Sequence, residues 1–273
     1  MKIYTYAVIN YNGDIDKSIK GLEERSVYNI PYEDIGIVAS NINEKIEEIK
    51  DITKEYVLAH EKVVEELMDK FTVLPVRFFT VFDKKENVIS MTKNYYNDFK
   101  SNLIRLGNKV EFGIKVIWNG SNVKKKIEET YKNNDSIPAT SSAKIFIKEK
   151  FKEYKINKIF ESEAERCIEF IDNSFNRFSC EKKIQKLKTE NLLLEACYLV
   201  EKEKQNDFKK VYEQFKNVQN EFKYLFSGPW PAYNFISGVR SRSAGCDLRF
   251  ANEKEDSPGV PNLLGRTVPV VGD

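Results

Sequence analysis

Hydrophobic and polar positions change their period several times along this chain, and each change predicts an element. Ile3–Ile9 is apolar on both faces, as a central strand is. Asn12-Gly13 reads as a turn, and Ile15, Ile19 and Leu22 share one side of a short helix over Asp14–Leu22. Val27–Ile30 and Ile35–Ala39 are two short strands about Pro31 and Gly36, a predicted hairpin. Ile52, Tyr56, Ala59, Val63 and Leu67 then recur every three or four residues, with Asp51 as the N-cap of that helix.

Phe71–Phe82, reading FTVLPVRFFTVF, has the β-branched and aromatic content of a strand. From Val76 it alternates, with Val76, Phe78, Thr80 and Phe82 on one face and Arg77, Phe79 and Val81 on the other. Pro75 has no N–H to give, so the strand begins there, bulges there or lies along an edge. Arg77, the single charge in the run, needs a carboxylate, a helix C-terminus or water. A helical stripe over Glu86–Leu106 ends at Gly107, and Val110–Trp118 alternates as a further strand. The predicted fold class is α+β, a small mixed or antiparallel sheet with helices on one face, in a ferredoxin-like arrangement.

Asn119–Ser142 is rich in breakers and marks a boundary. Beyond it Ile147, Phe151, Tyr154, Phe160, Ala164, Cys167, Ile171, Phe175 and Phe178 form the longest helical pattern, capped by Ser141 or Ser142. Its spacing fails once, near Asn157, which predicts a bend or a projecting helix. Two strands (Glu181–Leu187 and Leu192–Val200), a helix about Phe208–Val218 and a strand over Glu221–Ser227 complete a second, smaller α+β set. Pro229 and Pro231 are expected to keep Gly228–Tyr233 out of a regular ladder. The expected domains are 1–120, a linker over 121–140 and 141–237, with the long helix joining the two sheets. After Ser237 the composition shifts from lysine to arginine, glycine and proline, so 238–273 reads as a disordered tail, either vector-derived or native.

The ordered set YVLAHEKVVEELM (Tyr56–Met68), TVLPVRFFTVF (Thr72–Phe82) and VEFGIKVIW (Val110–Trp118), with GPWPAYNFI (Gly228–Ile236) near the end, resembles the gas vesicle protein L/F family. The likeness covers Met1 to Ser237, with one departure: Phe79 stands where the family usually has glycine. It implies a non-enzymatic accessory protein of gas vesicle assembly, cytoplasmic and associated with the vesicle. Its implied partners are the small hydrophobic shell protein and other gas vesicle accessory proteins. The candidate contact residues are Arg77, Phe78, Phe79 and Phe82, with Trp230, Tyr233 and Phe235 in the later motif.

Charge changes this picture little. Lysine and arginine (44) nearly balance aspartate and glutamate (42), so nothing draws the chain to nucleic acid or a lipid membrane. The four cysteines lack a C-x-x-C pair and fit a reducing compartment, with Cys167, Cys180 and Cys197 read as small core residues. His60 is the only histidine, and no phosphate-binding, nucleophile-elbow or zinc motif is present, so no cofactor, metal or catalytic residue is expected. RFFTVF is similar to the aromatic strand of RNA-recognition domains but lacks their glycine and a basic stripe. A nucleic-acid-binding or small-molecule-sensing ferredoxin-like module is therefore the alternative reading.

Overall fold

The structure is a computed structural model that describes residues 1–43, 54–132, 142–187, 189–218 and 222–238. The capping residues expected at Asp51 and Ser141, part of the expected linker and the tail from Val239 lie outside the described residues. Two compact units are present. One comprises Met1–Glu111 with the described residues from Pro229 onward; the other comprises Phe112–Gly228.

In the first unit, strands β1 (Lys2–Ile9), β2 (Val27–Tyr32), β3 (Ile35–Ile42), β4 (Val73–Pro75) and β5 (Val81–Phe82) form a sheet of order β2-β3-β1-β4, with β5 also on β1. The described pairings are antiparallel. The register of β1 against β3 slips between Thr5 and Ala7, so Tyr6 is a bulge. A one-residue slip reverses the side-chain alternation, which explains why Tyr4, Tyr6, Ala7 and Ile9 all enter one core cluster. Helix α1 (Lys54–Met68) closes that face with Val63, Val64 and Leu67. Helix α2 (Lys85–Leu106) lies along β1 to β5 and buries Val88, Met91, Phe99, Leu103 and Leu106. Since β1 is buried without a break from Ile3 to Ile9, helices cover both faces of this sheet, where one was expected.

Two predictions in this unit need correction. Asp14–Leu22 is not a helix, although Ile15, Ile19 and Leu22 are buried as expected. Side chains take the backbone bonds instead: Ser18 N–H donates to Asp16 Oδ1 (2.9 Å) and Leu22 N–H to the Tyr6 hydroxyl (2.9 Å). That hydroxyl comes so close to Gly21 that a Cβ there would meet it at 2.0 Å. The strand predicted to run on through Val76–Phe82 is also interrupted. Pro75 pairs with Ala7 and Val81 with Tyr4, so six steps along this edge face only three along β1. The surplus forms a loop over Val76–Thr80.

The second unit holds most of β6 (Lys109–Ile117) and β9 (Lys223–Trp230), with helix α3 (Gly120–Lys132), helix α4 (Ser142–Asn176), strands β7 (Glu181–Lys186) and β8 (Leu192–Glu201), and helix α5 (Gln205–Val218). The sheet order is β7-β8-β6-β9. Its core is a stack of rings in which Phe208 lies 5.0 Å from Phe112, 5.3 Å from Phe175 and 5.5 Å from Tyr198. Lys115 and Glu195 pair at 2.9 Å between β6 and β8. Three expectations change here. Helix α4 belongs wholly to this unit and does not join the two; the chain passes between them within β6 and at the end of β9. β9 extends through Pro229 to Trp230, which an edge strand allows because its outer side needs no ladder donors. Cys180 is exposed, so it is no core residue.

Candidate partner-binding surface

The loop over Val76–Thr80 is shaped from beneath by β1. Val76 N–H donates to the Tyr6 carbonyl (2.9 Å) and Thr5 N–H to the Thr80 carbonyl (3.0 Å), which pins both ends. Thr80 Oγ1 donates to the Arg77 carbonyl (2.8 Å), closing the turn. Phe79 has φ +70°, in the left-handed region that glycine enters freely and phenylalanine does not. The conformation is thus retained at a position where the side chain opposes it, held by the Phe79 N–H donating to Tyr4 Oη (3.2 Å).

That same hydroxyl lies 2.8 Å from His60 Nδ1, so the loop is tied through Tyr4 to helix α1. His60 is 3% exposed, stacked on Tyr6 at 5.6 Å and met edge-on by Phe78 at 5.7 Å. Its Nε2 is buried without a well-formed hydrogen bond. Burial lowers its pKa to about 4, partly offset by the nearby Val76 backbone. Burial likewise pushes the Tyr4 and Tyr6 phenols up. His60 is therefore a neutral packing and positioning group at neutral pH.

The segment from Pro231 to Ser237, grouped with 141–237 in the expected domain bounds, belongs to this first unit. Side chains supply the bonds that a ladder would: Ser237 N–H donates to Asn102 Oδ1 (3.0 Å) and Asn102 Nδ2 to the Ser237 carbonyl (2.7 Å). Arg105 donates to the Phe235 carbonyl, and Asn234 N–H donates to the buried Glu111 carboxylate (2.8 Å). Tyr233 packs against the Tyr4 cluster, and burial, with Glu61, Glu111 and Glu65 nearby, pushes its phenol up.

The seven candidate residues therefore divide. Phe82 and Phe235 are buried. Tyr233 and Trp230 are half-buried. Arg77, Phe78 and Phe79 stand together on the loop, likewise half-buried. Arg77 forms no ion pair with a carboxylate among the described residues, so the buried pair offered as one option for it is not found there. Sequence reasoning missed Tyr4, Tyr6, Asn102 and Glu111. The first two were read only as apolar strand positions; a polar Asn102 on the apolar face of α2 was the available signal for the clamp. Among the described residues no group of three or more His, Cys, Asp or Glu is placed to hold a metal ion, and no helix is long and apolar enough to cross a membrane.

Fold and family now follow. The fold is shared with the crystal structure of the gas vesicle protein GvpF from Anabaena sp. PCC7120, at TM-score 0.72 and 18% identity, covering 87% of this chain and 99% of that one. It is shared equally with that of GvpF from Microcystis aeruginosa, at TM-score 0.73 and 18% identity, covering 86% and 99%. These define an α+β protein of the GvpF fold. The model of the gas vesicle synthesis protein GvpL/GvpF family matches residues 2–237, and the chain belongs to this family. Among curated relatives, it is 24% identical to gas vesicle protein F1 of Halobacterium salinarum over 238 residues, which are 86% of this chain and 92% of that protein. Gas vesicle protein F2 of the same organism is 20% identical over 238 residues, 86% and 91% of the two chains.

Proposed function

We propose that this chain is a non-enzymatic assembly factor or minor structural component of gas vesicles that binds the small hydrophobic shell protein through the Val76–Thr80 loop and the β4–β5 edge. Family membership supports the assembly role. The observation that carries the site is the pair Phe78 and Phe79, half-buried on a loop whose residue 79 is left-handed, beside an edge strand. A shell subunit awaiting assembly has apolar surface to shield, and an edge strand with adjacent aromatics can take it up by main-chain pairing and apolar contact. Strand order β2-β3-β1-β4 supports reading the first unit as a ferredoxin-like arrangement with an irregular segment in place of its first helix. On this reading the protein works in the cytoplasm at the growing vesicle.

Titration of the full chain with purified shell protein at low and high salt tests the proposal. Binding should survive raised salt, because the recognition is apolar. Arg77→Glu and Phe79→Ser should weaken it about tenfold or more. Unchanged affinity in both variants, with folding shown intact by thermal melts, would remove the loop from the interface.

A further inference from the structure

Helix α4 is a single run of 35 residues through Asn157, where a bend or a projecting helix was expected. The broken spacing there marks a change of face. From Ile156 onward the buried stripe is Ile156, Phe160, Ala164, Ile168, Ile171 and Phe175, which packs into the second unit. Extended backward, that stripe would meet Lys152, Glu149 and Glu153. The apolar residues of the first half, Ile147, Phe151 and Tyr154, follow i, i+4, i+7 on another side of the helix and are 57–67% exposed. Phe146, 62% exposed, lies seven residues before Glu153 and so on the backward extension of the buried stripe, outside this seam. Among the described residues nothing covers this seam.

The charges around it have a direction. Between Phe146 and Lys158 the sequence has Lys148, Lys150, Lys152, Lys155 and Lys158 against Glu149 and Glu153. Between Ile159 and Asn176 it has four glutamates and Asp172 against Arg166 alone. The first turn of α4 contains no acidic residue, contrary to what the helix dipole favours. Lys155 Nζ sits 4.6 Å over the Phe151 ring and Lys158 Nζ 5.9 Å over that of Tyr154, which keeps positive charge at the border of the seam. Lys150 and Lys158 make i,i+3 ion pairs with Glu153 (2.8 Å) and Glu161 (3.5 Å), so helix stability accounts for part of the lysine set but not for the exposed rings.

We propose that the first half of α4 is a docking surface for an acidic amphipathic helix of a partner protein. The seam has the narrow width of a two-helix contact, not the broad apolar face of a helix lying in a membrane surface. Its lysine border disfavours the same seam of a second copy and favours a partner with glutamate or aspartate in the flanking positions. This surface uses none of Arg77, Phe78 or Phe79, so it gives the protein a second contact besides the one proposed for the shell protein.

The test uses the full chain and two synthetic three-heptad helices with leucine seams, one flanked by glutamate and one by lysine. The glutamate helix should bind, more weakly as salt rises, and the lysine helix should bind at least tenfold less well. Phe151→Ser with Tyr154→Ser should reduce binding at least tenfold without moving the melting temperature, since both side chains are exposed. Lys150→Glu with Lys155→Glu, the two lysines that flank the seam, should reverse the preference between the two helices. Equal binding of both helices, or of neither, overturns the proposal. So does concentration-dependent dimerisation abolished by the serine variants, which would make a second copy the occupant. Binding to phosphatidylglycerol vesicles that the serine variants abolish, with no binding of the glutamate helix, would point to a lipid surface and also overturns it.

Discussion

Replacing Phe79 by alanine and by glycine separates the side chain's contribution from that of its backbone. Both variants lose the same ring, which packs on the first unit's core and lies 5.8 Å from Phe78. Full truncation of a buried phenylalanine costs about 3–5 kcal/mol, so a half-buried one should cost roughly half of that. The two differ in what they do at φ +70°. Alanine keeps the Cβ and with it the left-handed penalty of about 1–2 kcal/mol, which glycine escapes. Glycine in turn costs about 0.5–1 kcal/mol through the greater freedom of its unfolded chain. The difference leaves Phe79→Gly more stable than Phe79→Ala by about 0.5–1 kcal/mol, the reverse of the usual order. Urea melts of both, compared at a common slope, measure it. Alanine equal to or better than glycine would refute a left-handed residue 79 and the loop built on it.

Two further outcomes follow from the same unit. His60 has a folded pKa of about 4, below its ordinary 6.5, so the folded state binds fewer protons than the unfolded one. Its contribution is fully present above pH 6.5 and lost as pH falls to 4, up to about 3 kcal/mol; His60→Gln should flatten that part of a stability-versus-pH curve, and an unchanged slope would assign it to other groups. Asn102→Ala should release the exposed Ser237 N–H and carbonyl to water, costing about 1–2 kcal/mol and raising amide exchange at Asn234–Ser237, whereas unaltered exchange would show that the clamp is not what holds this segment.

Much of the fold was legible because burial writes a period. Val27–Tyr32, Ile35–Ile42, Lys85–Leu106 and Lys109–Ile117 fall where alternation or helical spacing put them. The two misread elements of the first unit share a physical cause: a polar group satisfying a backbone at long range, which local period cannot report. The Tyr6 hydroxyl takes the Leu22 amide, and the predicted helix before it does not form. Tyr4 holds Phe79 from 75 residues away, and a predicted strand becomes a loop. Along α4 the period was read correctly, but spacing of three or four residues says little about which face a new stripe occupies after a gap. Of the candidate surface, Arg77, Phe78 and Phe79 could be picked from sequence. Their placement on a loop could not, because residue 79 gave no glycine to announce the turn.

The aromatics of the first unit also explain why its candidate surface is small. Tyr4 and Tyr6 are wholly buried, and each uses its hydroxyl to bind backbone: Tyr4 at Phe79, Tyr6 at Leu22. Phe82 and Phe235 are buried as well, one in β5 and the other under the Arg105 clamp. A ring already buried cannot supply new apolar area to a partner without first unfolding its surroundings, so these four are excluded as direct contacts. What keeps area to gain from burial is the half-buried set Phe78, Phe79, Trp230 and Tyr233, and the position of the Phe78–Phe79 pair is set by hydrogen bonds, not by packing alone. A loop fixed in that way holds its two rings in place against the core cluster, and little ordering entropy is lost when a partner arrives. The left-handed residue then has a rationale: its strain, maintained through Tyr4 and His60, keeps an apolar loop preorganised for the shell protein proposed to bind it.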